Sequence, residues 1–179
     1  MKMEVKKISP LTKEYWEFVY IVSKSFPLHI PLMIWASLRK MAVVFVCKLH
    51  GKIIGGFVVT DLPLNTFIFR PYNFFSNKKT RAFKQLIKKG YRYLTYVVIE
   101  KEYRGNGYGL KMMQTARKNH DIKSYFTPFT SGLQKFYEKS GAIVYKTQNG
   151  KTLRGINSPV MVFEGKAEND IATPMRLYS

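Results

Sequence analysis

The sequence predicts one mixed α/β domain, in which helices alternate with strands. Apolar runs of strand length alternate with segments of helical periodicity, and hairpin signals lie towards both ends of the chain. No repeat or low-complexity linker divides the sequence. The chain has 179 residues, of which 46% are hydrophobic, so it is long and apolar enough to bury a core of its own.

The first elements are a strand and two helices. Residues 3–8 form the predicted strand, and Thr12 marks the start of a helix that runs to about Ser25. Three large side chains share one face of this helix: Trp16, Val19 and Tyr20. A second, shorter amphipathic helix follows Pro31 and carries Leu32, Trp35 and Leu38.

The middle of the chain contains three predicted strands and a basic segment. The run AVVFVCKL, the turn His50–Lys52 and the run IIGGFVVTD predict a hairpin of strands two and three. Residues 61–91 are less regular and rich in Lys and Arg, with a predicted helix over 78–89. Strand four, YRYLTYVVIE, ends near Glu100, and its nearly unbroken apolar character predicts a central strand covered on both faces.

Two further helices and three strands follow. Gly109, Met112, Met113 and Ala116 lie at i, i+3, i+4 and i+7, which predicts the buried stripe of a helix ending near Asn119. Strand five is IKSYFTPF. Ser131 and Gln134 predict a capping box for a helix that Gly141 ends, with an apolar face of Leu133, Phe136 and Tyr137. The runs AIVYKT and PVMVFE form the last two strands around a QNGK turn.

The net charge of +19 is the unusual feature of the composition. Thirty Lys and Arg residues against eleven Asp and Glu residues favour an anionic partner, which is a nucleic acid, a membrane surface or a phosphorylated small molecule. A generally lysine-rich composition is the alternative explanation. The same charge disfavours strongly cationic ligands such as polyamines.

The cysteine and histidine content and the hydropathy of the chain argue against disulfide-bonded, metal-binding, membrane-spanning and secreted proteins. Cys47 is the single cysteine, so an internal disulfide and a cysteine-based metal cluster are both excluded. His29, His50 and His120 show no metal-ligand spacing, and we expect no bound metal. No apolar stretch is long enough to span a bilayer, and the first ten residues lack the apolar core of a secretion signal. The sequence therefore predicts a cytoplasmic protein without a membrane partner.

The stretch RGNGYG, residues 104–109, carries the main functional signal. It follows the apolar strand directly, and its three glycines let backbone N–H groups converge on an anion. A dinucleotide-binding fingerprint is excluded because Leu110 occupies the third glycine position. A nucleotide-hydrolase loop is excluded because no Gly-Lys-Ser or Gly-Lys-Thr ends the stretch.

Arg104, Gly107 and Gly109 fit the pattern R-x-x-G-x-G between a strand and a helix. This resembles the acyl-CoA pyrophosphate loop of the GCN5-related N-acetyltransferase (GNAT) family. The resemblance extends to three runs in order, KLHGKIIGGFVVTD, VVIEKEYRGNGYGLKMM and LQKFYEKSGAIVY, and covers most of residues 42–60 and 92–147. It implies a single GNAT-like domain over residues 1–179 with a basic insert at about 61–91. The implied sheet is mixed, mostly antiparallel, splayed between strands four and five and flanked by helices.

The resemblance also implies an activity and a set of site residues. The activity is N-acetyl transfer from acetyl-CoA to a primary amine by direct attack in a ternary complex. The pyrophosphate would lie against the loop residues Arg104, Gly105, Asn106, Gly107, Tyr108 and Gly109, and the pantetheine arm against the backbone of Val97, Val98 and Ile99. Tyr137 resembles the family's acid. Glu100 is the nearest carboxylate for a base, and ordered water is the alternative. The family often has Asn and Ala where Thr130 and Leu133 stand here.

Two other functions remain open at this point. One is a catalytically inactive GNAT-fold module that binds nucleic acid through the basic and aromatic insert. The other is an acetyltransferase acting on an RNA-linked amine such as charged tRNA, with the same insert contacting the RNA. No motif identifies the acceptor amine or decides between a monomer and a homodimer.

Overall fold

The fold is a twisted sheet with helices packed on both of its faces. The computed structural model describes residues 3–61, 85–120, 122–128, 130–147, 149–154 and 159–164. Within these residues the strands are β1 (Met3–Ile8), β2 (Ala42–Leu49), β3 (Lys52–Thr60), β4 (Arg92–Ile99), β5 (Lys123–Phe126), β6 (Ile143–Val144) and β7 (Met161–Glu164). The helices are α1 (Lys13–Ser23), α2 (Ile30–Leu38), α3 (Tyr108–Asn119) and α4 (Ser131–Lys139), with 3₁₀ turns at Pro27–His29 and Lys101–Tyr103.

The strands of the described residues form one sheet in the order β1-β2-β3-β4-β5-β7-β6. β4 lies in the middle, as its apolar sequence predicts. All neighbouring strands are antiparallel except β4 and β5, which are parallel. The β4–β5 pairing is limited to Arg92 with Ser124 and Tyr93 with Tyr125. The mixed, mostly antiparallel sheet and its splay between strands four and five are therefore confirmed.

A β-bulge lies on the same stretch of β4. Val58 of β3 pairs with Tyr96 and Val59 pairs with Leu94, so Thr95 is the extra residue on β4. A bulge interrupts the hydrogen-bond ladder and increases the local twist. It thus adds to the divergence of β4 from β5 beyond Tyr93.

The apolar core is divided between the two faces of the sheet, because successive strand residues point to opposite faces. On one face, Tyr15, Phe18 and Val22 of α1 pack against the sheet together with Met33 of α2. On the other face the packing residues of α3 are Met112, Met113 and Ala116, which are buried as the predicted stripe requires.

The buried face of α1 differs from the one predicted. Trp16 is 53% exposed and Tyr20 is 65% exposed, and the buried residues are Tyr15, Phe18, Val19, Ile21 and Val22. Trp35 and Leu38 of α2 are also exposed. Apolar residues occupy most of the circumference of α1, so periodicity fits more than one face, and docking on the sheet selects between them.

The cap of α4 also differs from the prediction. Thr130 is the N-cap, with its hydroxyl accepting a hydrogen bond from the Leu133 N–H at 3.2 Å, and Ser131 is the first helical residue. The predicted Ser131–Gln134 capping box was wrong by one position, because the extended backbone at Thr130 places the cap there. The predicted end at Gly141 is confirmed by its φ of 90°. Of the predicted helix over 78–89, residues 85–88 are helical, and residues 78–84 lie outside the described residues.

Two adjacent glycines in β3 allow the central strands to approach closely. A Cβ on Gly56 would collide with the Phe45 carbonyl oxygen and lie 2.8 Å from Phe18 Cε2. We expect Gly56→Ala to lower the free energy of unfolding by about 3 kcal/mol, because the clashing oxygen belongs to the neighbouring strand and cannot move freely. Urea denaturation measures this change. Gly132→Ala is the control, since its Cβ would come no closer than 3.9 Å to Thr130 Oγ1 and should cause no loss.

Candidate active site

The glycine loop joins the end of β4 to the start of α3. The 3₁₀ turn Lys101–Tyr103 follows β4, and Gly105 and Gly107 then adopt φ values of 82° and 73°. Gly107 is the N-cap of α3 and provides no side-chain cap. A Cβ built on Gly105 or Gly107 would meet no atom within 4 Å. The first N–H groups of α3 have no intrahelical acceptors, and together with the helix dipole they suit an anion at this open position.

Arg104 binds the loop to the end of β4, and Asn106 forms a hydrogen bond within the loop. Arg104 Nε donates a hydrogen bond to the Ile99 carbonyl at 2.8 Å, and Asn106 Nδ2 donates to the Arg104 carbonyl at 3.3 Å. The Tyr108 ring meets Tyr103 edge to face at 6.3 Å between centroids. A Cβ on Gly109 would lie 3.5 Å from Ile99 Cγ1 and 3.5 Å from Phe136 Cε2. The loop is therefore held in shape by its own side chains and by packing under Gly109.

The segment Val97, Val98 and Ile99 borders the gap between β4 and β5. Its other edge is paired with β3, where Phe57, Gly56 and Gly55 are the partners. Val97 and Ile99 pack on the α3 face of the sheet, and Val98 is buried on the α1 face. An extended amide-bearing chain can add to an open strand edge through main-chain hydrogen bonds. The chemistry of the loop and of the strand edge suits a ligand with a phosphate end and an amide-bearing arm.

Tyr137 lies on α4 within an aromatic cluster. Its ring centroid is 4.2 Å from that of Phe126, 5.0 Å from Phe136 and 6.4 Å from Phe163. Burial raises the pKa of Tyr137, and the nearby Tyr93 phenol raises it further. The hydroxyl carries its proton at neutral pH, as a tyrosine phenol with an ordinary pKa also does.

Glu100 follows the last residue of β4 and forms an ion pair that the sequence did not indicate. Lys24 Nζ donates to Glu100 Oε1 at 2.7 Å, and the Glu100 side chain is only 15% exposed. The hydrogen bond from Lys24 to this carboxylate raises the pKa of Lys24. Lys24 also lies over the Tyr20 ring, with Nζ 4.6 Å from the centroid. The two partners are 76 residues apart in the chain, so no local pattern could have found the pair.

Three further predictions concern the basic insert, metal binding and membrane-spanning helices. Of the basic insert at 61–91, residues 62–84 lie outside the described residues, and the RNA-contact prediction falls mainly there. Among the residues that the structure describes, no group of three or more His, Cys, Asp or Glu side chains could hold a metal ion. No helix within the same residues is long and apolar enough to cross a membrane.

Solved structures with similar folds include acetyltransferases. One match is a Corynebacterium glutamicum protein described as "histone acetyltransferase HPA2 and related acetyltransferase". It has a TM-score of 0.58 and 14% identity, and the match covers 96% of this chain and 100% of that one. A GNAT-family acetyltransferase from Bacillus cereus matches with a TM-score of 0.58 and 12% identity, covering 93% and 100%. Tetrahymena GCN5 matches with a TM-score of 0.56 and 12% identity, covering 90% and 94%. At these identities the likeness shows the fold.

A comparison with curated proteins found no match. The family model of the acetyltransferase (GNAT) family matches residues 8–142, which is most of the chain and includes both the loop and Tyr137. The resemblance carried by the glycine loop and its flanking runs is thereby confirmed, and the chain belongs to the GNAT acetyltransferase family.

Proposed function

We propose that the protein is an N-acetyltransferase that transfers the acetyl group of acetyl-CoA to a primary amine by direct attack in a ternary complex. The observation that carries this proposal is the loop at the start of α3, where Gly105 and Gly107 have positive φ and open space above them. The loop follows the segment of β4 that lies beyond its pairing with β5. In this proposal one molecule of acetyl-CoA therefore contacts both the loop and the edge of β4 that β5 leaves open.

The pyrophosphate binds at the N-terminus of α3 in this proposal. Its oxygens accept hydrogen bonds from N–H groups of residues 104–109, and the helix dipole adds to the attraction. Each hydrogen bond to a charged group contributes about 1.5–3 kcal/mol. A Kd of 1 μM corresponds to about 8 kcal/mol net of the cost of association, so these bonds act together with the contacts of the pantetheine arm.

The pantetheine arm lies along Val97, Val98 and Ile99, on the edge of β4 that faces the gap. Its amides pair with backbone groups of the strand, as an added strand would. This direction carries the thioester from the loop towards the bulge at Thr95. The carbonyl carbon then lies between β4 and β5, where an amine can approach it.

In the proposed transfer, a C–N bond forms and a C–S bond breaks at the thioester carbonyl carbon. The neutral amine nitrogen attacks the thioester carbonyl carbon, the C–S bond breaks, and the sulfur leaves as a thiolate. In our proposal Tyr137 gives its hydroxyl proton to this thiolate. Its position on α4 against Phe126 of β5 supports this role, because the ring lies beside the strand that forms the far wall of the gap.

The amine must lose a proton before or during attack, and two groups can take it. Glu100 is the carboxylate at the end of β4, and it acts as the base through intervening water, because the thioester carbonyl lies several residues along β4 towards Thr95. Ordered water in the gap is the second candidate. The Lys24 ion pair favours water, since it already occupies the carboxylate at 2.7 Å.

The proposed function is tested by titrating acetyl-CoA and then supplying amines. We expect acetyl-CoA to bind with micromolar affinity in calorimetry, at a one-to-one ratio, because the proposed site has one phosphate-binding loop and one open strand edge. A panel of amines, amino acids, peptides, polyamines and charged tRNA is then assayed for release of the CoA thiol and for the acetylated product by mass spectrometry. Absence of acetyl-CoA binding at millimolar concentration would contradict the proposal.

A further inference from the structure

Tyr96 of β4 carries a hydroxyl that is buried in the core. The residue is 3% exposed, and its Oη has no hydrogen-bond partner among the residues that the structure describes. A buried hydroxyl without a partner destabilises a protein relative to an apolar group of the same shape. Phenylalanine would fill the same space without this cost, so we take the hydroxyl as a candidate ligand-binding group.

The position of Tyr96 relates the hydroxyl to the proposed site of transfer. Tyr93 is the last residue of β4 that pairs with β5, and Thr95 is the bulged residue. Tyr96 follows immediately, on the segment of β4 that borders the gap. Bulges often re-aim a side chain beside an active site.

The ring of Tyr96 lies in a cluster with two other aromatic rings. Its centroid is 5.3 Å from that of Phe26 and 5.6 Å from that of His29, and the rings of Phe26 and His29 stack at 5.9 Å and 10°. Burial lowers the pKa of His29, so this ring is neutral at pH 7. Burial raises the pKa of Tyr96, with a further contribution from Tyr93, so the phenol keeps its proton. The three rings are uncharged and form apolar walls that suit the apolar or aromatic stem of a ligand.

Phe26 is the solvent-exposed ring of this cluster. It is 38% exposed, whereas Tyr96, whose ring it contacts, is 3% exposed. Exposed side chains change rotamer within nanoseconds. Rotation of Phe26 is therefore the simplest way for a ligand to reach the Tyr96 hydroxyl, and the turn after α1 becomes the entrance.

We propose that Tyr96 is a specificity-determining residue that accepts a hydrogen bond from the acceptor amine, while an apolar or aromatic stem of the acceptor lies against Phe26 and His29. The inference rests on the proposed function and names the class of its acceptor. A primary amine on an apolar or aromatic stem satisfies the hydroxyl and the rings together. A polyamine does not, because its second charge would lie against apolar walls.

The first test compares two Tyr→Phe variants by thermal unfolding. Tyr96→Phe removes a hydroxyl without a partner, so its Tm should be unchanged or about 2–4 °C higher. Tyr91→Phe is the matched control, because the Tyr91 hydroxyl donates a hydrogen bond to Glu164 Oε2. Its Tm should fall by about 2–4 °C. A fall in the Tyr96→Phe variant equal to that of the control would make the hydroxyl structural and overturn the proposal.

The second test measures binding of a probe amine. 2-Phenylethylamine is titrated by calorimetry into the CoA-saturated wild type and into both variants, with spermidine as the charged comparison. We expect Tyr96→Phe to weaken binding of 2-phenylethylamine at least about 10-fold, the wild type and Tyr91→Phe to be alike, and spermidine to bind more weakly. Equal affinity in wild type and Tyr96→Phe, or no binding of 2-phenylethylamine to the wild type, overturns the proposal.

Acetyl-CoA titrations separate this inference from the function on which it rests. All three proteins should bind acetyl-CoA equally, because Tyr96 is placed with the acceptor. If the wild type itself does not bind acetyl-CoA, the proposed function fails and this inference fails with it. If only Tyr96→Phe loses acetyl-CoA affinity, the hydroxyl belongs to the acetyl-CoA site and its acceptor role is overturned.

Discussion

Replacing Tyr137 by Phe is expected to lower turnover about 10²-fold, the usual scale for loss of a general acid. The variant keeps the ring that packs against Phe126, Phe136 and Phe163 and deletes only the hydroxyl. The free energy of unfolding should therefore change by no more than about 1–2 kcal/mol. Acetyl-CoA affinity should stay nearly the same, since the hydroxyl acts on the leaving sulfur. Steady-state kinetics with the amine found in the panel measures the effect.

The pattern of effects distinguishes three roles for Tyr137. A purely structural role predicts lower stability with normal turnover per folded molecule, and a binding role predicts weaker acetyl-CoA affinity. Tyr145→Phe is the matched control, because this half-buried tyrosine packs in the separate cluster around Leu86 and Tyr91. Full turnover in folded Tyr137→Phe would remove Tyr137 as the acid and leave solvent as the proton donor.

Replacing Gly107 by Val is expected to weaken acetyl-CoA binding about 10²-fold. The residue has a φ of 73° and no atom within 4 Å of a built Cβ, so the branched side chain would enter the space proposed for the phosphates. Loss of one or two hydrogen bonds to a charged group is about 3 kcal/mol, which corresponds to this factor. Calorimetric titration of acetyl-CoA measures the change.

Gly51→Val is the control that separates backbone strain from loss of the site. Gly51 lies in the β2–β3 turn, with a φ of 83° and likewise nothing within 4 Å of a built Cβ. Both variants should lose about 1–2 kcal/mol of stability through the left-handed backbone. Only Gly107→Val should lose acetyl-CoA affinity. Equal affinity in the two variants would remove the loop from the acetyl-CoA site.

The elements that the sequence predicted well are those with a strong local period. The stripe of Met112, Met113 and Ala116 identified α3 and its buried face, and the unbroken apolar run identified β4 as the central strand. Thr130 was missed as a cap because Ser131 has the same capping chemistry one position later. Backbone conformation decided between the two hydroxyls, and composition carries no information on that choice.

One part of the candidate site could also be predicted from local sequence, and another part could not. The glycine loop could be predicted from the sequence because Gly105 and Gly107 adopt positive φ, a backbone conformation that favours glycine at those single positions. The ion pair of Lys24 with Glu100 depends instead on how α1 docks against the end of β4.

The sequence by itself determined the order of helices and strands, the family and the loop proposed for the pyrophosphate, since each rests on residues a few positions apart. Only the tertiary structure decided which face of α1 is buried, which cation meets Glu100 and that the Tyr96 hydroxyl has no partner among the described residues. Those three depend on contacts between segments far apart in the chain, and the packing of helices on the sheet determines such contacts.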